Sequence, residues 1–104
     1  MTYRIVYHPE ISRDLLNISK LIADHAGIDV AQKKLGQIRA TIEALRHTPH
    51  IGSVRSDIFD GLRAIPSAGK GVIAFTVDDI NKTVFLVSIT YAGADWMSGI
   101  SRRT

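Results

Sequence analysis

Four residues of the chain carry a positive charge or an aromatic ring of the kind that handles phosphates and bases: Arg55, Arg63, Lys70 and Tyr91. Guanidinium and ammonium groups neutralise phosphate oxygens, and a tyrosine ring can stack on a nucleobase. Structural roles are equally compatible with these residues, since Arg63 could pair with Asp60 or Asp95 and Tyr91 could close the edge of a core. The sequence leaves both interpretations open.

The segment 91–96 is the second candidate region. It leaves an apolar run, turns at Gly93 and ends in Trp96, the only tryptophan of the chain, which Met97 follows. An exposed tryptophan beside a methionine is typical of protein–protein interfaces. A tryptophan folded back against the core edge would explain the pattern as well.

Other site chemistries lack their required residues. His47 and His50 straddle a proline without a third ligand, and the chain contains no cysteine, so we expect no metal site. Gly69-Lys70 lacks the first glycine and the Ser/Thr of a phosphate-binding loop, and no serine lies in a nucleophile elbow. Asp78-Asp79 is typical of a solvated turn. We therefore expect no cofactor and no covalent catalysis.

Composition limits the class of protein. The 104 residues are 45% hydrophobic and carry a formal net charge of +3. A chain of this length can bury one core without staples, which predicts a single domain over residues 1–104. The charge is too small and too evenly spread to predict sequence-specific DNA binding. The absence of cysteine, of a signal peptide and of a long apolar stretch predicts a cytoplasmic protein outside the membrane.

Apolar residues at helical spacing predict two helices, over 9–26 and 30–47. Only the few residues around Gly27 connect them, which makes them an antiparallel hairpin. β-Branched and aromatic runs predict a short strand over 3–7 and three later strands over about 58–65, 71–78 and 83–91. The fold class is α+β: an N-terminal strand, a two-helix hairpin and a three-stranded antiparallel sheet. The helices cover one sheet face, and strand curvature or a partner covers the other.

This order of elements, with several short motifs along nearly the whole chain, resembles the RelE/ParE superfamily of toxins from toxin–antitoxin systems, most closely its ParE branch. The motifs that carry the resemblance are Pro49-x-x-Gly52, Gly61-Leu62-Arg63-Ala64-Ile65, Phe75-x-Val77-Asp78 and Ile89-x-Tyr91-Ala92-Gly93-x-Asp95-Trp96. The resemblance implies the superfamily fold and a toxin that inhibits growth, stabilises plasmids and forms a hetero-oligomer with a ParD-like antitoxin.

The resemblance also bears on the target. RelE-like toxins cleave mRNA on the ribosome with basic and aromatic residues, whereas ParE-like toxins are not enzymes and poison DNA gyrase. In this chain Val72, Ile73 and Ala92 stand where basic residues of the RelE pattern are expected. The resemblance therefore favours gyrase inhibition over two alternatives, a RelE-like endoribonuclease and an inactive toxin that only binds its antitoxin.

Two surfaces follow as expectations. The toxic surface comprises Arg55, Arg63, Tyr91, Asp95 and Trp96. An acidic antitoxin segment would bind the apolar strand faces and the basic outer faces of the helices, at Arg13, Lys20, Lys33, Lys34, Arg39 and Arg46. The alternative for the second set is a solvated back of two amphipathic helices.

Overall fold

The computed structural model describes residues 2–93 and 95–104. Along the chain the elements are β1 (Arg4–Tyr7), α1 (Ile11–Ala26), α2 (Ile28–Ala44), β2 (Ser53–Val54), β3 (Arg63–Ser67), β4 (Gly71–Asp78), β5 (Thr83–Tyr91) and α3 (Ile100–Arg103). The predicted α+β class is confirmed. Among the described residues, no helix has both the length and the hydropathy needed to cross a bilayer.

The five strands form one mixed sheet in the order β1-β5-β4-β3-β2. The predicted sheet had three strands, and the structure adds one strand at each edge: β1 beside β5 and β2 beside β3. β1 joins β5 in parallel and places Ile5 opposite Val84, so both apolar side chains enter the core. β2 pairs with the start of β3 over only two residues, a length too short to show an alternating pattern.

The strand predicted over about 58–65 was placed about five residues too early, since β3 begins at Arg63. Residues 58–62 form turns instead, with hydrogen bonds from Ile58 N to Arg55 O and from Leu62 N to Phe59 O. β3 then continues through Pro66, which the sequence predicted in a turn. Because β2 pairs only with the first two residues of β3, Pro66 lies on an edge, where a missing N–H is tolerated.

The two helices are joined by the single residue Gly27, shorter than the predicted connection. Its backbone angles, φ 94° and ψ 165°, belong to a region that only glycine adopts readily. α1 begins at Ile11 rather than at residue 9. α2 ends at Ala44, three residues before its predicted end, and tight turns such as His47 N to Ala44 O continue the chain toward Pro49.

The helical hairpin covers one face of the sheet, as predicted. The main core on this face includes Ile18, Ile38, Leu45, Phe75 and Leu86, all almost fully buried. Ile18 and Ile38 lie on the two helices, Leu45 directly follows α2, and Phe75 and Leu86 lie on the neighbouring central strands β4 and β5. The hydrophobic effect therefore holds the hairpin against β4 and β5.

A second, smaller core lies on the opposite face of the sheet. Leu62, Ala74, Val87 and Ile100 are buried there, with Trp96 packed against them. The chain itself thus covers this face, through the segment before β3 and the C-terminal segment. The sequence predicted that strand curvature or a partner covers this face. It did not predict the second core, because the apolar residues of that core are scattered along the sequence.

The carboxylate of Asp14, in the first turn of α1, connects three parts of the fold. Arg103 donates to both of its oxygens, at 2.6 and 2.9 Å, and the backbone N–H of Ile89 donates at 3.1 Å. Arg103 Nη1 also donates to Val87 O at 3.1 Å. The hydrogen bonds that Arg103 donates to this carboxylate raise the pKa of Arg103. This group anchors the C-terminal segment to β5 and α1.

We expect Asp14→Ala to lower the free energy of unfolding by about 2–4 kcal/mol, because it leaves a half-buried guanidinium and a backbone N–H without their acceptor. Urea denaturation followed by circular dichroism measures the change. Asp24→Ala, at an exposed position of the same helix, is the control and should change stability by less than about 0.5 kcal/mol. Equal effects of the two substitutions would contradict the anchoring role.

Gly52 leads the chain into β2 in a conformation that only glycine suits. Its φ is +81°, and a Cβ there would lie 2.5 Å from the carbonyl oxygen of Ala64. We expect Gly52→Ala to destabilise the fold by about 2 kcal/mol or more. Gly36→Ala, where a Cβ meets nothing within 4 Å in α2, should instead stabilise by about 0.5–1 kcal/mol. Thermal or urea unfolding that ranks the two variants in the opposite order would refute the steric role of Gly52.

Candidate functional site

Arg55, directly after β2, stacks on the only tryptophan of the chain. Its guanidinium carbon lies 5.4 Å from the centroid of the Trp96 ring, and Nη2 lies 3.9 Å from the sulfur of Met97. The backbone N–H of Arg55 donates to Leu62 O at 2.7 Å, which fixes the segment before β3 against the sheet. Arg55 O also accepts a hydrogen bond from Phe59 N at 3.4 Å, which holds Phe59 beside Arg55. We call Arg55, Phe59, Trp96 and Met97 the arginine–tryptophan patch.

The inner side of the patch packs against the second core, and its outer side is exposed. Trp96 packs against the second core, whereas Phe59 and Met97 are 40% and 45% exposed. The C-terminal segment is held by Ile100 in that core and by the Arg103 anchor. Arginine, aromatic rings and methionine are the residue types enriched at the centres of protein interfaces. The arrangement is suited to binding a protein surface.

A bidentate ion pair orients the arginine of the patch. Arg55 Nε and Nη2 donate to the two carboxylate oxygens of Asp57, each at 3.1 Å. These hydrogen bonds raise the pKa of Arg55 and lower the pKa of Asp57. The stability this pair contributes is therefore present above the ordinary carboxyl pKa and is lost as the pH falls through the lowered one. Sequence reasoning missed Asp57, although its spacing from Arg55 is a usable signal.

Arg63 and Tyr91 lie on the other face of the sheet. Arg63 is opposite Phe75 in the strand register, toward the helices, and its Nη1 donates to Ile51 O at 3.5 Å. Tyr91 packs against the main core, and its hydroxyl donates to Ala68 O at 3.4 Å. The sheet thus separates both residues from the arginine–tryptophan patch. The predicted toxic surface is not one continuous cluster.

Asp95, one of the two aspartates considered as partners of Arg63, directly precedes Trp96. Asp95 is exposed, and its carboxylate accepts a hydrogen bond from Ser98 N at 3.4 Å, which shapes the turn beyond Trp96. Among the ion pairs of the described residues, Arg63 is paired with neither Asp95 nor Asp60. Asp95 therefore lies beside the patch without joining Arg63 to it.

The basic residues predicted to bind an antitoxin lie mostly on the exposed side of the helical hairpin. Arg13 and Lys20 are exposed on α1, at helical spacing on either side of Leu16, and Arg39 is exposed on α2. Arg46 follows α2, where Glu43 binds it at 2.9 Å. Leu16 itself is 64% exposed, an apolar feature of this surface that the sequence pattern did not predict.

The sequence predicted no site at the pairs His47/His50 and Asp78/Asp79. One residue of each pair, His50 and Asp79, is in contact with the other. His50 Nε2 lies 2.8 Å from Asp79 Oδ1, which also accepts the hydroxyl of Tyr3 at 2.6 Å. Hydrogen bonds from Tyr3 and His50 lower the pKa of Asp79. The contact links the start of the chain to the β4–β5 turn. Within residues 2–93 and 95–104, no group of three or more acidic or histidine side chains is placed to hold a metal.

The two central strands carry no lysine, arginine or histidine. Their sequences are GVIAFTVD in β4 and TVFLVSITY in β5. A sheet surface that cleaves phosphodiesters without a metal needs cations to stabilise the charge of the transition state. Neither central strand supplies such a group.

A family model matches most of the chain, and solved structures share its fold. Residues 5–96 match the family described as ParE toxin of type II toxin–antitoxin system, parDE. The fold is similar to that in a chromosomal ParDE toxin–antitoxin system from P. aeruginosa, with a TM-score of 0.73 and 17% identity over 88% of this chain and 97% of that one. Among curated proteins, no sequence matches the chain.

Two further solved structures share the fold. An arginine-to-alanine double mutant of the E. coli toxin RelE in the free state has a TM-score of 0.66 and 14% identity, covering 99% of this chain and 97% of that one. The toxin–antitoxin complex RelBE2 from Mycobacterium tuberculosis has a TM-score of 0.58 and 16% identity, covering 88% and 100%. At these identities the likeness concerns the fold alone.

We expect Arg55→Ala to increase acrylamide quenching of the fluorescence of Trp96, because the guanidinium covers one side of the ring. The change is measured on the folded protein, where a single tryptophan gives an unambiguous signal. Arg39→Ala, an exposed arginine on the hairpin, should leave quenching unchanged. Unchanged quenching in Arg55→Ala would show that the stacking does not persist in solution.

Proposed function

Because the chain belongs to the ParE toxin family of type II toxin–antitoxin systems, we propose that it inhibits growth by binding DNA gyrase and trapping the enzyme on broken DNA. It acts by occupying a protein surface rather than as an enzyme. In this proposal residues 1–104 act as one domain in the cytoplasm.

The observation that carries the proposal is the absence of cations from β4 and β5. Removing one preorganised group that stabilises the transition-state charge typically costs about 10²–10³-fold in rate. Arg63 on β3 lies on the sheet face that the helices cover, opposite Phe75 in the strand register, so it does not replace the missing groups. These facts favour gyrase binding over RNA cleavage.

The arginine–tryptophan patch is the proposed gyrase-binding surface. It combines a stacked arginine, a tryptophan packed against the second core and two partly exposed apolar side chains. Such centres contribute most of the binding energy in protein interfaces. Arg63 and Tyr91, on the opposite face, remain predicted members of the toxic surface that this patch does not include.

We further propose that a ParD-like antitoxin neutralises the protein in a hetero-oligomer. The similar P. aeruginosa structure is a ParDE system, and the similar M. tuberculosis structure is a toxin–antitoxin complex. Arg13, Leu16 and Lys20 place an exposed apolar residue between two cations on α1. That pattern is complementary to an amphipathic, acidic segment that folds as it binds.

The test is to incubate the purified protein with gyrase, ATP and supercoiled plasmid, then to denature the mixture and measure linear DNA. We expect linear DNA to accumulate with protein concentration. Trp96→Ala should weaken this effect about tenfold or more, as expected for a hot-spot residue. Arg39→Ala is the matched control on the hairpin and should behave as the unmodified protein.

Two outcomes would overturn the proposal. If the folded protein produces no linear DNA but truncates mRNA on ribosomes, it is an endoribonuclease. If it does neither, it is a toxin without activity that binds only its antitoxin. Equal gyrase activity of Trp96→Ala and the unmodified protein would remove the patch from the target surface.

A further inference from the structure

Met97 presents an oxidisable sulfur on an ordered turn. The chain has no cysteine and two methionines, and Met97 is the one that lies within the described residues. Its side chain is 45% exposed. The turn is held by hydrogen bonds from Ser98 to Asp95 and from the N–H of Ile100 to Met97 O at 3.3 Å. An exposed thioether at a fixed place is accessible to small oxidants.

The sulfur of Met97 contacts the guanidinium that covers Trp96. Arg55 Nη2 lies 3.9 Å from this sulfur and donates to Asp57 Oδ2 at 3.1 Å, so one nitrogen serves two acceptors. The guanidinium carbon lies 5.4 Å from the centroid of the Trp96 ring. A change in the acceptor strength of the sulfur group therefore acts on the side chain that covers the tryptophan.

Oxidation changes that acceptor strength. A thioether sulfur accepts hydrogen bonds weakly, whereas a sulfoxide is polar and carries an oxygen that accepts them strongly. An oxygen on the sulfur of Met97 would accept from Arg55 Nη2 and compete with the ring and with Asp57 for the guanidinium. Oxidation also replaces a flexible apolar side chain of the patch by a polar one.

We propose that Met97 is a reversible oxidation site, and that its sulfoxide opens the arginine–tryptophan patch by drawing Arg55 away from Trp96. The oxidant is a hydroperoxide such as hydrogen peroxide. The sulfur lone pair attacks one peroxide oxygen, an S–O bond forms and the O–O bond breaks. The leaving hydroxide takes the proton of the transferred oxygen and departs as water. Sulfur thereby loses the two electrons that the peroxide gains.

The modification is reversible because sulfoxide reductases restore methionine. In that step two thiols supply two electrons and form a disulfide, and the sulfoxide oxygen leaves as water. Oxidation would lower the affinity of the patch for gyrase, since the stacked arginine and the apolar methionine both belong to the proposed contact surface. This last consequence rests on the proposed function, whereas the oxidation and the opening of the patch do not.

The first test treats the folded protein with hydrogen peroxide, locates added oxygen by mass spectrometry of its peptides and measures acrylamide quenching of Trp96. We expect one oxygen on Met97 and quenching that rises about 1.5-fold or more as the ring becomes uncovered. Met97→Leu conserves the volume and keeps Met1, so its quenching should be the same before and after peroxide. Circular dichroism shows whether each sample stays folded.

A second variant tests the part played by the arginine. Arg55→Ala should acquire the oxygen on Met97 without a further rise in quenching, because the group that covers the ring is already absent. No oxygen on Met97, unchanged quenching in the oxidised protein, or an equal response from Met97→Leu or Arg55→Ala would each overturn the proposal.

The gyrase assay then compares treated and untreated samples of the same protein. We expect oxidation to reduce linear DNA about fivefold or more, as for loss of a hot-spot contact, and sulfoxide reductase with a dithiol to restore it. Equal linear DNA from the oxidised and reduced protein would overturn the regulatory consequence. If the untreated protein produces no linear DNA, the proposed function fails, and peptide mapping and quenching still decide whether oxidised Met97 opens the patch.

Discussion

The ion pair between Asp14 and Arg103 is the interaction on which the layers on the two faces of the sheet depend. The register of β5 against β4 skips Val87, which forms a bulge and leaves its carbonyl to be bound by Arg103. Asp14 accepts the N–H of Ile89 just beyond the bulge and both donors of the same arginine. One half-buried ion pair thus satisfies an irregular strand and holds the C-terminal segment against the sheet. Such a pair is costly to break because each partner would be left without a counter-charge.

The sheet divides the molecule into two surfaces with different physical character. The helical face carries the main core, with cations along the exposed side of the hairpin. The opposite face carries a small core under an arginine stacked on a tryptophan. In the proposed function the first surface suits an acidic antitoxin and the second a gyrase surface. Because the central strands lie between them, the two surfaces share no side chains.

The apolar side chains of β4 and β5 serve the two cores and also bear on the proposed function. Strands buried on both faces must carry apolar side chains, which leaves no place there for the cations that phosphodiester cleavage requires. The second layer formed by residues 55–62 and the C-terminal segment is what buries the other face. A similar fold is found in RelE, so the fold does not decide the target. In the proposed function, the side chains that the sheet presents decide the target.

Local periodicity was enough to predict both helices, the strands 71–78 and 83–91 and the α+β class. It could not predict the parallel pairing of β1, the two-residue β2 or the Asp14–Arg103 pair, because these join residues far apart in the chain. Folding alone places Arg63 and Tyr91 on one face of the sheet and Trp96 on the other. The face that a strand residue meets follows from its register against the neighbouring strand, and pairings between distant residues set that register.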